Sequence, residues 1–331
     1  MTVTDINPAT GAAVAELNET DLAGMPERMQ RARAAQRQWA AKSFKERARH
    51  IELMRRYIVD RAEDLAATVS DSNGKTRIDA LATEVLPCAL ACNWYAKNAG
   101  KVLGPQKRAA GHLLFANKRT EVSHLPLGVV GIISPWNYPL SIPFGEIVMA
   151  LMAGNAVLLK VAAATPAVGR AIERILDAGE LPEGLFQHIV GSGSKVATAF
   201  FENGIDKLFF TGSVPAGKTL MAQAAQTLTP VSLELGGNDA MIVLADADLE
   251  RATNGAAWAG YQNAGQSCGG VERIYVEAAV YDDFVERLAK KTRALRHGPG
   301  QRDGVTVDIG SLTTEGQLRT VQQHLEDALA K

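Results

Sequence analysis

Cys268 stands in the stretch 258–273, WAGYQNAGQSCGGVER, a loop rich in small and polar residues. A helical run (249–261) precedes it and a strand-like run (273–277) follows, so the thiol lies at a junction between elements. A thiolate there can act as a nucleophile once something lowers its pKa and another group handles protons. A small buried core cysteine would look the same in isolation. Glu234, in SLELGGN, sits between leucines. A carboxylate on an apolar strand end tends towards a raised pKa and can serve as a general base. A structural salt bridge would use it equally well. It lies thirty-four positions before Cys268, with one strand and one helix between, which can bring both side chains to neighbouring strand ends.

A third group is Asn137, in the run Ser134-Pro135-Trp136-Asn137-Tyr138-Pro139 directly after a strand. The prolines fix the loop, Trp136 can pack, and the Asn137 amide can donate to a developing oxyanion or cap the next helix. Lys160 ends another strand, where a cation meets ribose, phosphate or solvent. The run 211–219, TGSVPAGKT, joins a strand to a helix whose N-terminal amides can hold phosphate. Read literally, 212–219 has the glycine and lysine spacing of a nucleoside-triphosphate loop, and Val243-Leu244-Ala245-Asp246 imitates its acidic strand. That nucleotidase reading leaves the rest of the chain unexplained, and the same physics serves a dinucleotide pyrophosphate.

The elements that must position these groups follow from periodicity. Two short strands flank the turn 7–11, and helices are expected over 21–41, 44–70 and 77–100. Residues 112–116 and 119–124 alternate as a hairpin. From Gly128 strands (129–133, 156–160, 186–190, 207–210) alternate with helices (142–152, 166–178, 194–202, 217–227). Further strands at 240–244 and 273–277 lead into helices at 249–261 and 280–293. Alternation of this kind marks an α/β fold with a doubly wound parallel sheet.

With 331 residues, 47% of them hydrophobic and 21% charged, the chain reads as a globular protein of about two domains. A net charge of -1 supplies no basic field for nucleic acid. The arginines between 31 and 61 are interleaved from Lys45 onward with Glu46, Glu52, Asp60 and Glu63 and read as a solvated helix face. Three cysteines without a paired framework fit a reducing compartment, and the N-terminus lacks signal-peptide features. The greasy region 142–164 is broken by Glu146, Asn155 and Lys160, so no membrane span is expected and the location is read as cytoplasmic. Cys88 and Cys92 share a helix face without histidines at metal-like spacing, and no metal site is expected.

Taken together, NPATG at 7–11, LGVVGIISPWNYP at 127–139, FTGS at 210–213, LELGG at 233–237 and GQSC at 265–268 resemble the NAD(P)-dependent aldehyde dehydrogenase superfamily, in order and spacing. The resemblance spans essentially the whole chain. It implies a dinucleotide-binding domain (1–106 and 127–235), an oligomerisation hairpin (107–126) and an incomplete α/β catalytic domain (236–331). It implies Cys268 as nucleophile, Asn137 and the Cys268 amide as oxyanion donors, and Glu234 as the base that hydrolyses a thioester, in place of transfer to coenzyme A. Ile133, Ser134, Trp136, Lys160, Gly193, Gly212, Ser213 and Leu235 match cofactor-contact positions for NAD or NADP. The acid expected after Lys160 is replaced by Ala163, which favours NADP or dual use. Tyr138, Leu140, Phe144, Trp258 and Tyr261 are candidates for an apolar substrate tunnel. The run Phe144-Gly145-Glu146 lacks the arginine of some semialdehyde relatives and points to an uncharged aldehyde. The chain stops at Lys331, inside a helical pattern (315–330), where relatives continue; a truncated form is expected. Such a form oxidises an aldehyde itself, or binds cofactor or full-length subunits (homo-oligomers) without turnover.

Overall fold

The structure is a computed structural model, and it describes residues 1–109, 111–299 and 307–331. A small antiparallel pair, β1 (Thr2–Ile6) and β2 (Ala13–Asn18), leads into α1 (Met25–Ala40), α2 (Phe44–Asp60) and α3 (Ala62–Asn73). The single helix expected over 44–70 is two, because Arg61 leaves helical geometry at φ −115°. A capping box of Ser43 and Glu46 starts α2. Next come α4 (Arg77–Ala80), a π-helical turn (Leu81–Val85) and α5 (Leu86–Leu103). Cys88 and Cys92 are buried on α5, as their spacing suggests. Arg47 departs from the solvated arginine face; it is buried with its guanidinium 4.6 Å from the Phe44 ring centre.

The hairpin differs from expectation. Its paired strands are β3 (Gln106–Arg108) and β4 (Thr120–Val122), whereas 112–116 carries a 3-10 turn at Leu113–Phe115. Then follow β5 (Val129–Ile133), α6 (Ser141–Met152), β6 (Ala156–Lys160), α7 (Pro166–Ala178), β7 (Phe186–His188), α8 (Gly193–Glu202), β8 (Lys207–Gly212), α9 (Val214–Thr227) and β9 (Val231–Leu235). These five strands form one parallel sheet in the order β7-β6-β5-β8-β9. Every residue of β5 and β6 is buried. Their sequences, VVGII and AVLLK, are continuous apolar runs because helices cover both sheet faces.

The chain winds outward from β5 to β7, then returns across β5 to build β8 and β9. The reversal opens a crevice between the C-terminal ends of β5 and β8, the place where doubly wound sheets bind ligands.

A second unit follows: β10 (Asp239–Val243), α10 (Leu249–Tyr261), β11 (Val271–Val276), α11 (Tyr281–Ala294) and α12 (Glu315–Ala330). β10 and β11 pair in parallel as a sheet of their own. One face packs Val243 with Ala256 and Phe284 of α10 and α11. The other is bare: Ile242 is 70% exposed, Leu244 53% and Tyr275 55%. Among the described residues no helix is long and apolar enough to cross a membrane, and no cluster of three or more potential metal ligands occurs.

Candidate active site

Asn137 lies in the loop between β5 and α6. It does not cap α6, which excludes its alternative use. The helix start is held by Glu84, whose Oε2 accepts hydrogen bonds from the Leu140 and Ser141 amides at 3.0 and 2.7 Å. The Asn137 side chain is instead directed at the cysteine loop. Its Nδ2 donates to the Gln266 carbonyl at 3.1 Å, and its Oδ1 accepts from the Tyr138 amide at 3.1 Å. An amide carries two N–H groups, so one is left for a ligand.

The cysteine loop is bent by three successive left-handed residues, Asn263 (φ 51°), Ala264 (φ 55°) and Gly265 (φ 75°). Two of these are not glycine, and such backbone persists only where the surroundings over-determine it. Here Asp79 accepts from the Asn263 amide at 3.2 Å, while Asn263 Nδ2 donates to the Asn137 and Gln266 carbonyls at 3.0 and 3.1 Å. Gln266 Nε2 closes the turn on the Asn263 carbonyl at 3.0 Å. Cys268 is left exposed at the loop's far end. Its backbone N–H donates to no acceptor among the described residues. The structure thus brings Asn137 to the carbonyl two residues before Cys268, with donors free on both sides.

Glu234 is on β9, in register with Thr211 of β8, and its side chain is exposed, not set among apolar groups. Nor are Glu234 and Cys268 at neighbouring strand ends: β9 belongs to the five-stranded sheet, while Cys268 precedes the start of β11 in the other. The carboxylate in an apolar setting is Glu146, on α6. One of its oxygens is buried without a hydrogen-bond partner. Burial, with repulsion from Glu234 added, raises its pKa to about 8. Glu146 is therefore a neutral acid at pH 7, and its nearness to Glu234 was not readable from spacing.

Lys160 closes β6 and is 6% exposed, so it is not a solvated lysine. Burial lowers its pKa to about 8. Its ammonium faces the first residue of α8: a Cβ built on Gly193 would lie 3.6 Å from Nζ. A buried cation beside the positive end of a helix dipole, with no acceptor among the described residues, is a setting that an anionic ligand would relieve. The Ser134 amide binds the Lys160 carbonyl at 3.0 Å, which locks the ends of β5 and β6 together, with Ile133 buried beside it. Ala163 is exposed in the next loop. Ser213 caps α9, its Oγ accepting from the Ala216 amide at 3.4 Å. Gly212 and Gly217 give room to the Phe210 ring and the Leu235 side chain respectively. These residues fit a dinucleotide laid across the sheet ends.

The triphosphate-loop alternative fails on the same geometry. Residues 214–219 are already helical, so Gly217 and Lys218 lie within α9 and no loop wraps a phosphate chain. Leu140 and Phe144 are withdrawn from the expected apolar tunnel, since both are fully buried core. Tyr138 is half-buried and donates to Ser267 Oγ at 3.0 Å, whereas Trp258 and Tyr261 are exposed.

The model of the aldehyde dehydrogenase family matches residues 1–331. The chain belongs to the aldehyde dehydrogenase family. A Mycolicibacterium smegmatis protein provisionally named as an NADP(+) succinate-semialdehyde dehydrogenase is 42% identical over 91% of this chain and 57% of its own length. The 4,4'-diapolycopene aldehyde oxidase of a Methylomonas species is 33% identical, over 100% of this chain and 61% of its own. Among solved structures, succinate-semialdehyde dehydrogenase from Burkholderia pseudomallei superposes with a TM-score of 0.94 at 33% identity, covering 100% of this chain and 67% of that one. An NAD+ complex of a Bacillus cereus aldehyde dehydrogenase gives 0.91 at 30% identity, covering 98% and 66%. The chain therefore spans about three fifths of the length of these curated relatives.

Proposed function

We propose that this aldehyde dehydrogenase chain carries the machinery that oxidises an aldehyde to a carboxylic acid. The observation behind the reading is the hydrogen bond from Asn137 to the carbonyl two residues before Cys268, with the Cys268 amide free. The Cys268 thiolate adds to the aldehyde carbon. The oxyanion so formed is met by the spare Asn137 N–H and the Cys268 N–H, two donors fixed before the charge develops. Bound NAD or NADP supplies the hydride acceptor, and it would be held by Lys160, Gly193, Ser213 and the ends of β5, β8 and β9. Loss of hydride leaves a Cys268 thioester. Glu234 takes a proton from water, the hydroxide attacks the thioester carbon, and the carboxylic acid leaves as the thiolate re-forms.

Two details refine this. The uncarboxylated loop at Ala163 and the anion-seeking Lys160 favour NADP, in line with the name of the Mycolicibacterium relative. Names of relatives also point to succinate semialdehyde. However, Phe144-Gly145-Glu146 offers no cation for its carboxylate. An uncharged aldehyde is the better fit. The assignment of 1–106 with 127–235 to cofactor binding, 107–126 to oligomerisation and 236–331 to catalysis is part of the same reading.

The test is cofactor reduction with butanal, benzaldehyde and succinate semialdehyde, using NAD and NADP, beside Cys268→Ala. Cysteine-dependent reduction, fastest with NADP and an uncharged aldehyde, is expected. Cofactor binding without any reduction would sink the catalytic reading and leave the cofactor-binding one.

A further inference from the structure

The segment 73–84 carries no recognisable motif, yet four of its polar side chains, Asn73, Lys75, Asp79 and Glu84, are buried and directed at the two catalytic loops. Lys75 and Glu84 form an ion pair at 2.6 Å with both side chains fully enclosed. Neither spends its whole bonding capacity on the other. Lys75 Nζ also donates to the Asn137 carbonyl at 2.9 Å and sits 4.2 Å from the centre of the Tyr138 ring. Glu84 turns its second oxygen to the Leu140 and Ser141 amides. The loop 137–141 is thus gripped at both ends by one pair. The π-helical turn Leu81–Val85 supplies Glu84, and such turns recur at functional sites.

The same segment grips the cysteine loop. Asp79 holds the Asn263 amide, as above. Asn73 Nδ2 donates to the Trp136 carbonyl at 2.8 Å and to Thr313 Oγ1 at 3.0 Å, and the Thr313 amide donates to Gln266 Oε1 at 2.9 Å. Asn137 and Cys268 come from different sheets, so their separation depends on whatever spans them.

We propose that Lys75 and Glu84 are positioning residues that set the Asn137 amide against the Cys268 loop. Enclosing two charges gains little stability over an apolar pair of the same volume. Such a pair could fill the space, but it could not hold one carbonyl and two amides. The geometry therefore has a purpose beyond packing. The inference rests on the reading of Asn137 as an oxyanion donor.

The test is the double variant Lys75→Met/Glu84→Leu, which leaves no buried charge and no acceptor for the two amides, beside Lys75→Met alone. Hydrogen exchange of the Leu140 and Ser141 amides is read against amides of α7, with melting as the folding control. Expected for the double variant are at least tenfold faster exchange at 140–141 with α7 unchanged, cofactor affinity within twofold, and kcat lower on the order of 10²-fold. Unchanged exchange at 140–141, or unchanged kcat per folded molecule, would overturn the proposal. If the wild-type chain binds cofactor but turns over no aldehyde, the catalytic reading of Asn137 falls. The positioning of its loop is then decided by the exchange data alone.

Discussion

Replacing Glu146 with glutamine should change how stability depends on pH, and the size of the effect follows from the structure. The carboxyl is pushed from an ordinary 4.5 to about 8 by burial and by Glu234. Between those values the unfolded chain has released this proton while the folded chain keeps it. Unfolding is then favoured by rising pH, at about 1.4 kcal/mol per pH unit. Across the whole window the loss is roughly 5 kcal/mol, a large part of the ~5–15 kcal/mol that holds a domain together. The contribution is fully present below pH 4.5 and gone above 8. Glutamine is neutral in both states and does not titrate. Urea unfolding of wild type and Glu146→Gln at pH 5, 6, 7 and 8 should therefore give curves that diverge, with the variant gaining relative stability at each step. Asp5 and Asp79, whose pKa values are also raised by burial, are common to both proteins and cancel in the difference. Parallel curves would refute the reasoning, because they would mean that Glu146 ionises normally in the folded chain. Adding Glu234→Gln should shrink the divergence by removing the repulsion.

Iodoacetamide should label Cys268 in the native protein and spare Cys88 and Cys92 until unfolding, read by mass spectrometry; burial raises both their pKa values, that of Cys92 to about 12. Ala163→Glu should weaken NADP binding at least tenfold and NAD binding less, by calorimetry, since a carboxylate would face the 2′-phosphate. NADP affinity in the unaltered chain should fall as pH rises past about 8, when Lys160 loses its charge. Ile242→Lys, on the bare face of the β10–β11 sheet, should reduce self-association in sedimentation velocity; identical profiles would show that this face is not sticky.

The buried strands β5 and β6 coincide with their apolar runs because a parallel strand covered on both faces admits only such residues. Of the two hairpin strands, 119–124 holds β4 (Thr120–Val122), whereas 112–116 alternates without a covering surface to make alternation meaningful and carries a 3-10 turn. Cys268, Glu234, Asn137 and Lys160 announced themselves by type and by the motifs around them. Their environments did not. Glu234 is exposed where its leucine neighbours suggested burial, and the burial of Lys160 removes the solvated alternative that its strand end left open.

By itself the sequence determined the alternation of strands and helices from β5 to α9, the identity of the groups able to do chemistry, and the family to which they belong. Those are local properties, carried by periodicity, by glycine and proline, and by short motifs. The tertiary structure alone decided which groups meet. Lys75 and Glu84 are nine positions apart and look like surface charges, yet they lie fully enclosed under the oxyanion loop. Glu146 acquires its proton only because folding buries it beside Glu234. Burial and proximity between distant segments set the electrostatics of this site. Neither is a property of any window of residues.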